Sequence, residues 1–240
     1  GLRFLPQALV LPLIPLYSRS AVAQGDRADF RDAYVRSMKS FLLMGFPFAL
    51  LFIFCPATLT TGLLGHNYLA AAPAMRLLGF GIWLVFLTTP FPFLLTALDR
   101  QRFMFISATI SFAIRVGLDI ALIHYLGFIG PCISLIVSES FILAAWIWCV
   151  WQDGFALQLA DLLWRPLVAS VLMSAVLYWF HPQSLLTLAP IAMLAGVLYM
   201  AIVLKLGGLS EVDMALLREG AEFIRPWLSQ RFGQLRGRFS

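Results

Sequence analysis

Residues 131–151 read PCISLIVSESFILAAWIWCVW, twenty-one positions with one charge, Glu139. A helix that crosses a bilayer needs about 20 mostly apolar residues, so this stretch predicts a membrane span. The same reading extends outward along the chain. Further spans are expected near 39–62, 77–98, 103–123, 164–181 and 186–206, and a shorter stub near 2–16. Only 12% of the 240 residues are charged and 61% are hydrophobic, where soluble domains carry about 25% charged and about 45–50% apolar residues. A mean hydropathy of +0.88 agrees. An ordinary soluble domain is excluded, and the expected class is an all-α, polytopic transmembrane bundle with six to seven spanning helices.

The chain opens at Gly1 directly into apolar sequence, with no initiator Met and no charged segment ahead of an apolar core. That is not a signal-peptide pattern, and the reading is of a longer protein of which this is a part. Three units are expected: 1–151 as the core, 152–207 as an interfacial helix with two extra spans, and 208–240 as a tail. In the tail, Ser210 and Asp213 form a capping-box-like helix start. Val212, Leu216, Phe223 and Trp227 then recur at helical spacing beside Arg218, Arg225 and Arg231. This predicts an amphipathic helix lying on the inner membrane face.

The net charge of +5 is decided by where the charges sit. With the 17–38 loop on the cytoplasmic side and the loops alternating from there, only three of the 17 Lys and Arg residues fall elsewhere. Arg3 and Arg76 are on the outer side and Arg115 is within a span. Such an asymmetry orients helices across the cytoplasmic membrane, and it leaves no basic patch for nucleic acid. The C-terminus is then cytoplasmic.

No enzyme motif is present: no metalloprotease helix, nucleophile elbow or phosphate loop. Cys55, Cys132 and Cys149 all lie in apolar runs without metal-ligand spacing, as small hydrophobes in helix packing do. Neither a metal nor a cofactor is expected. The informative residues are charges at lipid depth, which are costly there and default to functional candidates. Arg115 and Asp119 are four apart and share one helix face. Arg115 lies about 10–12 Å below the outer end of its span and Glu139 about 12 Å below that of the next. The expectation is an intramembrane ion pair of Arg115 with Glu139, Asp119 or both. Its alternatives are a register-fixing pair that never meets substrate and a cation offered to an anionic substrate. Arg76, Arg19 and Arg36 are further candidate substrate-binding cations, each with a competing role as a topology or headgroup anchor.

The loops carry a resemblance. Leu11-Pro12-Leu13-Ile14-Pro15-Leu16-Tyr17-Ser18-Arg19, followed by Gln24-Gly25-Asp26, is similar to the "P-x-x-S-R … G-D" signature of polysaccharide repeat-unit flippases. Gly65-His66-Asn67-Tyr68-Leu69-Ala70-Ala71, then Leu77-Leu78 after Arg76, resembles that family's "G-x-x-Y-x-x-A … L-R-x-L" loop. Leu94 to Arg100 resembles "L-L-x-A-x-G-R", with Asp99 where Gly is usual. Leu118 to Pro131 resembles "L-N-x-x-L-I-P-x-Y-G-x-x-G-A", with His124 for the common Pro and Pro131 for the small residue. Where many members carry Asn, this chain has Arg115, so no family role transfers to it. The resemblance covers roughly residues 5–150 of this sequence.

The resemblance implies the C-terminal lobe of a two-lobed exporter in the multidrug/oligosaccharidyl-lipid/polysaccharide superfamily. It implies flipping of a lipid-linked oligosaccharide, on an undecaprenyl pyrophosphate carrier, to the outer leaflet of a bacterial inner membrane. The implied partners are that glycolipid, membrane lipids, a missing N-terminal lobe, and polysaccharide polymerase and export machinery. A lipid II-type flippase and a polytopic enzyme of glycan assembly are the alternatives. Against the former, Gly65-His66-Asn67-Tyr68 lacks the usual "F-x-R-G-x-F". Against the latter, the outer loop from Gly62 to Met75 holds no acid.

Overall fold

A computed structural model describes residues 27–154, 159–180, 182 and 184–206. The stub near 2–16, the Arg19 loop and the 208–240 tail lie outside the described residues. Among these, all regular structure is helical. Helix α1 runs Arg27–Phe54, α2 Pro56–Leu64, α3 Ala72–Thr88, α4 Phe91–Ala97, α5 Gln101–Leu126, α6 Gly130–Gln152, α7 Leu159–Phe180 and α8 Leu185–Lys205. Short 3₁₀ turns at His66–Ala71 and Gly127–Ile129 join α2 to α3 and α5 to α6.

Four stretches are long and apolar enough to cross a membrane: His66–Ala97, Gln101–Gln152, Leu163–Phe180 and Leu185–Lys205. Counting the bent pair Phe41–Phe54 and Pro56–Leu64 as one span brings the total to five. The stretch Gln101–Gln152 is itself a hairpin. Ser107, Ser111 and Asp119 on α5 meet Trp146, Ser138 and Ser134 on α6 in reverse order, so its two helices run antiparallel. The chain is a membrane protein by these lengths and compositions.

Proline sets the boundaries. The spans expected near 39–62 and 77–98 are both broken at proline: Pro56 opens α2, Pro73 α3, Pro92 α4 and Pro131 α6, each in the first turn. There the missing N–H has no helical partner to lose. Pro47, Pro166 and Pro190 do lie inside helices. Ser184 and Thr187 cap α8 reciprocally. The expected interfacial helix over 153–164 does not stand alone, because α7 begins at Leu159 and runs on through Trp164.

The helices pack in the order α5–α6–α3–α1–α7–α8, each mainly against its neighbours in that row. Small residues allow the closest approach. A Cβ on Gly45 would stand 2.7 Å from the Cβ of Phe86, and one on Gly79 would stand 2.9 Å from the Ala49 carbonyl oxygen. Lipid offers helices little hydrophobic reason to associate, so such close contacts carry much of the packing energy. Phe41, Ile82 and Phe86 fill the α1–α3 contact. The larger core joins Met38, Leu42 and Leu50 of α1 to Trp146 of α6, Met173 of α7 and Tyr199 of α8. Helix α5 closes one end of the row. Of its residues only Ser107 and Ser111 are buried.

Candidate functional site: a polar seam at membrane depth

Helix α5 is apolar over most of its surface, yet Ser107, Ser111, Arg115 and Asp119 follow at intervals of four. That interval stacks them on one face, and the face lies on α6. Trp146 Nε1 donates to Ser107 Oγ at 2.9 Å. Ser111 Oγ donates to the Ser138 carbonyl at 2.9 Å. Ser134 donates to the Asp119 carboxylate. Interhelical bonds of this kind are worth about 0.6 kcal/mol on average in a bilayer, so the seam fixes register more than it adds stability.

Arg115 sits between the Ser111 and Asp119 rungs, half-buried. It is about 21 Å along the helix axis from Gln101 and about 17 Å from Leu126, hence near mid-membrane. Asp119 accepts from Ser134 and Glu139 from Thr88; among the described residues no ion pair of Arg115 with either acid is found. Glu139, one residue after Ser138, points about 100° away from it around α6; it is 3% exposed and meets Thr88 of α3. Thr88 Oγ1 lies 3.1 Å from the Val85 carbonyl and 3.2 Å from Glu139 Oε2, its one proton set between two acceptors.

The remaining candidates are scattered. Arg76 is exposed near the start of α3. Arg36 lies in α1, and Arg19 is outside the described residues. Arg76 and Arg115 lie on different helices, α3 and α5. Sequence reasoning passed over Ser107, Ser111, Ser134, Ser138 and Thr88. The four-residue interval from Ser107 to Asp119 was the signal available for two of them.

At the base of the hairpin, Arg100 and Asp153 form a two-point ion pair, with Nε to Oδ2 at 3.0 Å. This bond and its charge hold the Arg100 guanidinium above its usual range. The pair ties the residue before α5 to the residue after α6. Cys55, Cys132 and Cys149 are buried and unbridged. Among the described residues no group of His, Cys, Asp and Glu gathers to hold a metal ion.

The hairpin carries aromatic side chains at both ends. Phe103 packs on Trp148, ring centroids 6.3 Å apart; Trp151 and Trp164 are exposed, and Arg165 lies over the Trp164 ring at 5.4 Å. At the other end Tyr68, Tyr125, Tyr178 and Trp179 are exposed. Phe103 to Tyr125 spans about 33 Å of helix, close to the roughly 30 Å hydrocarbon core. Two aromatic belts at that spacing are where Trp and Tyr collect in membrane proteins.

Compared with protein-family models, curated proteins and solved structures, the chain matches none.

Proposed function

We propose that the chain is the C-terminal lobe of a flippase that moves a lipid-linked oligosaccharide across a bacterial inner membrane. The observation that carries this reading is Arg115. It is a permanent cation near mid-membrane, half-buried, in a polar seam whose carboxylate is engaged by Ser134. A charge at that depth is costly, and a phosphate-bearing substrate passing the seam would offset the cost. The glycan would take the polar path while the lipid tail stays in the bilayer.

The loop motifs support the reading in a physical way. Asp99, at the usual glycine of "L-L-x-A-x-G-R", has φ 57°, and Gly127 of "Y-G-x-x-G" has φ 55°. These are conformations that favour glycine. Gly130 of the same motif is packed so that a Cβ would stand 2.7 Å from the Leu122 carbonyl carbon. The two motifs thus ask for glycine where this backbone needs it. Asp119 and Glu139 are the groups that would couple transport to a proton or cation. Arg76, Arg36 and Arg19 would guide the head group at the two mouths.

The test is genetic and biochemical. In cells lacking the gene, lipid-linked repeat units should accumulate in the inner leaflet, and the wild-type gene should clear them. Arg115→Gln should leave them trapped at unchanged protein level, and Arg115→Lys, which keeps a point charge, should clear them in part. Full clearance by Arg115→Gln removes the role given to Arg115. The absence of any trapped glycolipid in the deletion strain removes the flippase reading. Trapped peptidoglycan precursor instead would assign the lipid II alternative.

A further inference from the structure

The chain breaks at Cys55 and Pro56, and the two parts of the broken span meet at 85°. Pro56 supplies the stop: its ring cannot continue α1, and it starts α2 in the first turn. A helix at nearly a right angle to a spanning helix, at that helix's end, runs along the membrane plane. Its residues are amphipathic. Leu63, Leu64, Tyr68 and Leu69 are exposed apolar side chains, interleaved with Gly65, His66 and Asn67.

The segment is fastened in this attitude. Thr58 Oγ1 donates to the carbonyl of Pro182, in the α7–α8 connection, and both residues are buried. Leu185 lies over Gly62, where a Cβ would run into its side chain. These contacts put α2 at the same end of the bundle as exposed Tyr125, Tyr178 and Trp179, level with the belt that marks a membrane boundary. The charge fits a phosphate layer. Between Asp32 and Asp99 the chain holds no acid, while Arg76 is exposed just beyond the segment.

We infer that residues 56–71 form an in-plane foot that lies in the phospholipid headgroup layer, its leucines and Tyr68 sunk toward the acyl chains. The break in the span is then a device for turning a transmembrane helix into a surface anchor. This holds whether or not the chain carries a glycolipid.

Depth measurement tests it. The full chain, reconstituted in phosphatidylethanolamine/phosphatidylglycerol nanodiscs, would carry one nitroxide at a time on a cysteine replacing Leu64, Asn67, Tyr68 or Phe112. The unsubstituted chain gives the background from its three buried cysteines. Collision with oxygen against a water-soluble nickel complex reads each position's depth. Phe112, exposed near the middle of α5, is the ruler and should read deep. Leu64 and Tyr68 should read about 5–10 Å below the phosphates, as an interfacial helix does, with Asn67 shallower. Nickel access at all three foot positions would make the segment an aqueous loop and overturn the inference. So would protection from both reagents, which means cover by protein, and so would a depth equal to that of Phe112, which means a re-entrant insertion. A shallow Phe112 would overturn the membrane placement itself.

Discussion

At the residue scale, two positions separate what a side chain does from what its backbone requires. Asp99 sits at φ 57° between α4 and α5, a left-handed conformation that costs an L-residue other than Gly about 1–2 kcal/mol. Asp is among the residues that tolerate it best. Replacing it by Gly relieves the strain but frees the unfolded chain. Asp99→Gly should therefore raise stability slightly, by about 0.5 kcal/mol. Asp99→Val, branched at Cβ, should lower it by about 1–3 kcal/mol. Thermal unfolding in detergent reads both, and equal melting temperatures for the two variants would sink the argument. Arg115 is the contrasting case. Its backbone is plain helix, so any effect of Arg115→Gln belongs to its side chain and not to the backbone.

At the scale of elements, the α1–α3 crossing depends on Gly79. A Cβ there would approach Ile53 Cγ1 at 2.8 Å and the Ala49 carbonyl oxygen at 2.9 Å. A side-chain atom can move aside; a helix carbonyl cannot without parting the helices. Gly79→Val should lower stability by about 1–3 kcal/mol, the usual cost of overpacking. Gly117, with nothing within 4 Å of a Cβ, should accept Ala with no loss. If both variants melt alike, the close crossing is not what holds α1 to α3. Legibility in the sequence divides at this scale. The spans near 103–123 and 131–151 are recovered as α5 and α6, because hydropathy over 20 residues reports burial in lipid directly. The prolines at 56 and 90 were legible as interruptions but not as helix starts, because composition does not separate a proline that starts a helix from one that kinks it. The depths of Arg115, Asp119 and Glu139 followed from rise per residue. Their partners did not, because which face of α6 meets α5 and which meets α3 depends on the order of helices in the row, and no local pattern encodes that order.

At the scale of the whole molecule, the two ends of the bundle along its helix axes differ in charge. Lys39, Arg100, Arg102, Arg165 and Lys205 lie toward the end marked by Trp148, Trp151 and Trp164. Among the described Lys and Arg residues, Arg76 alone lies toward the end of Tyr125 and Trp179. Insertion places the Lys/Arg-rich ends of helices in the cytoplasm, so the Arg100–Asp153 clasp should face inward and the α2 foot outward. Orientation also decides whether the proposed transport runs the right way. A substrate built on the cytoplasmic side must enter at the Arg100 end, climb past Arg115 and leave beside α2. Single cysteines at Gly154 and at Tyr125 in intact cells, reacted with a membrane-impermeant maleimide, measure this. Tyr125 should label from outside and Gly154 only after the membrane is opened. The reverse pattern would turn the protein over. Arg76 would then guard the entrance and the α2 foot would lie on the inner leaflet, so the glycolipid would have to enter where this chain carries fewest cations.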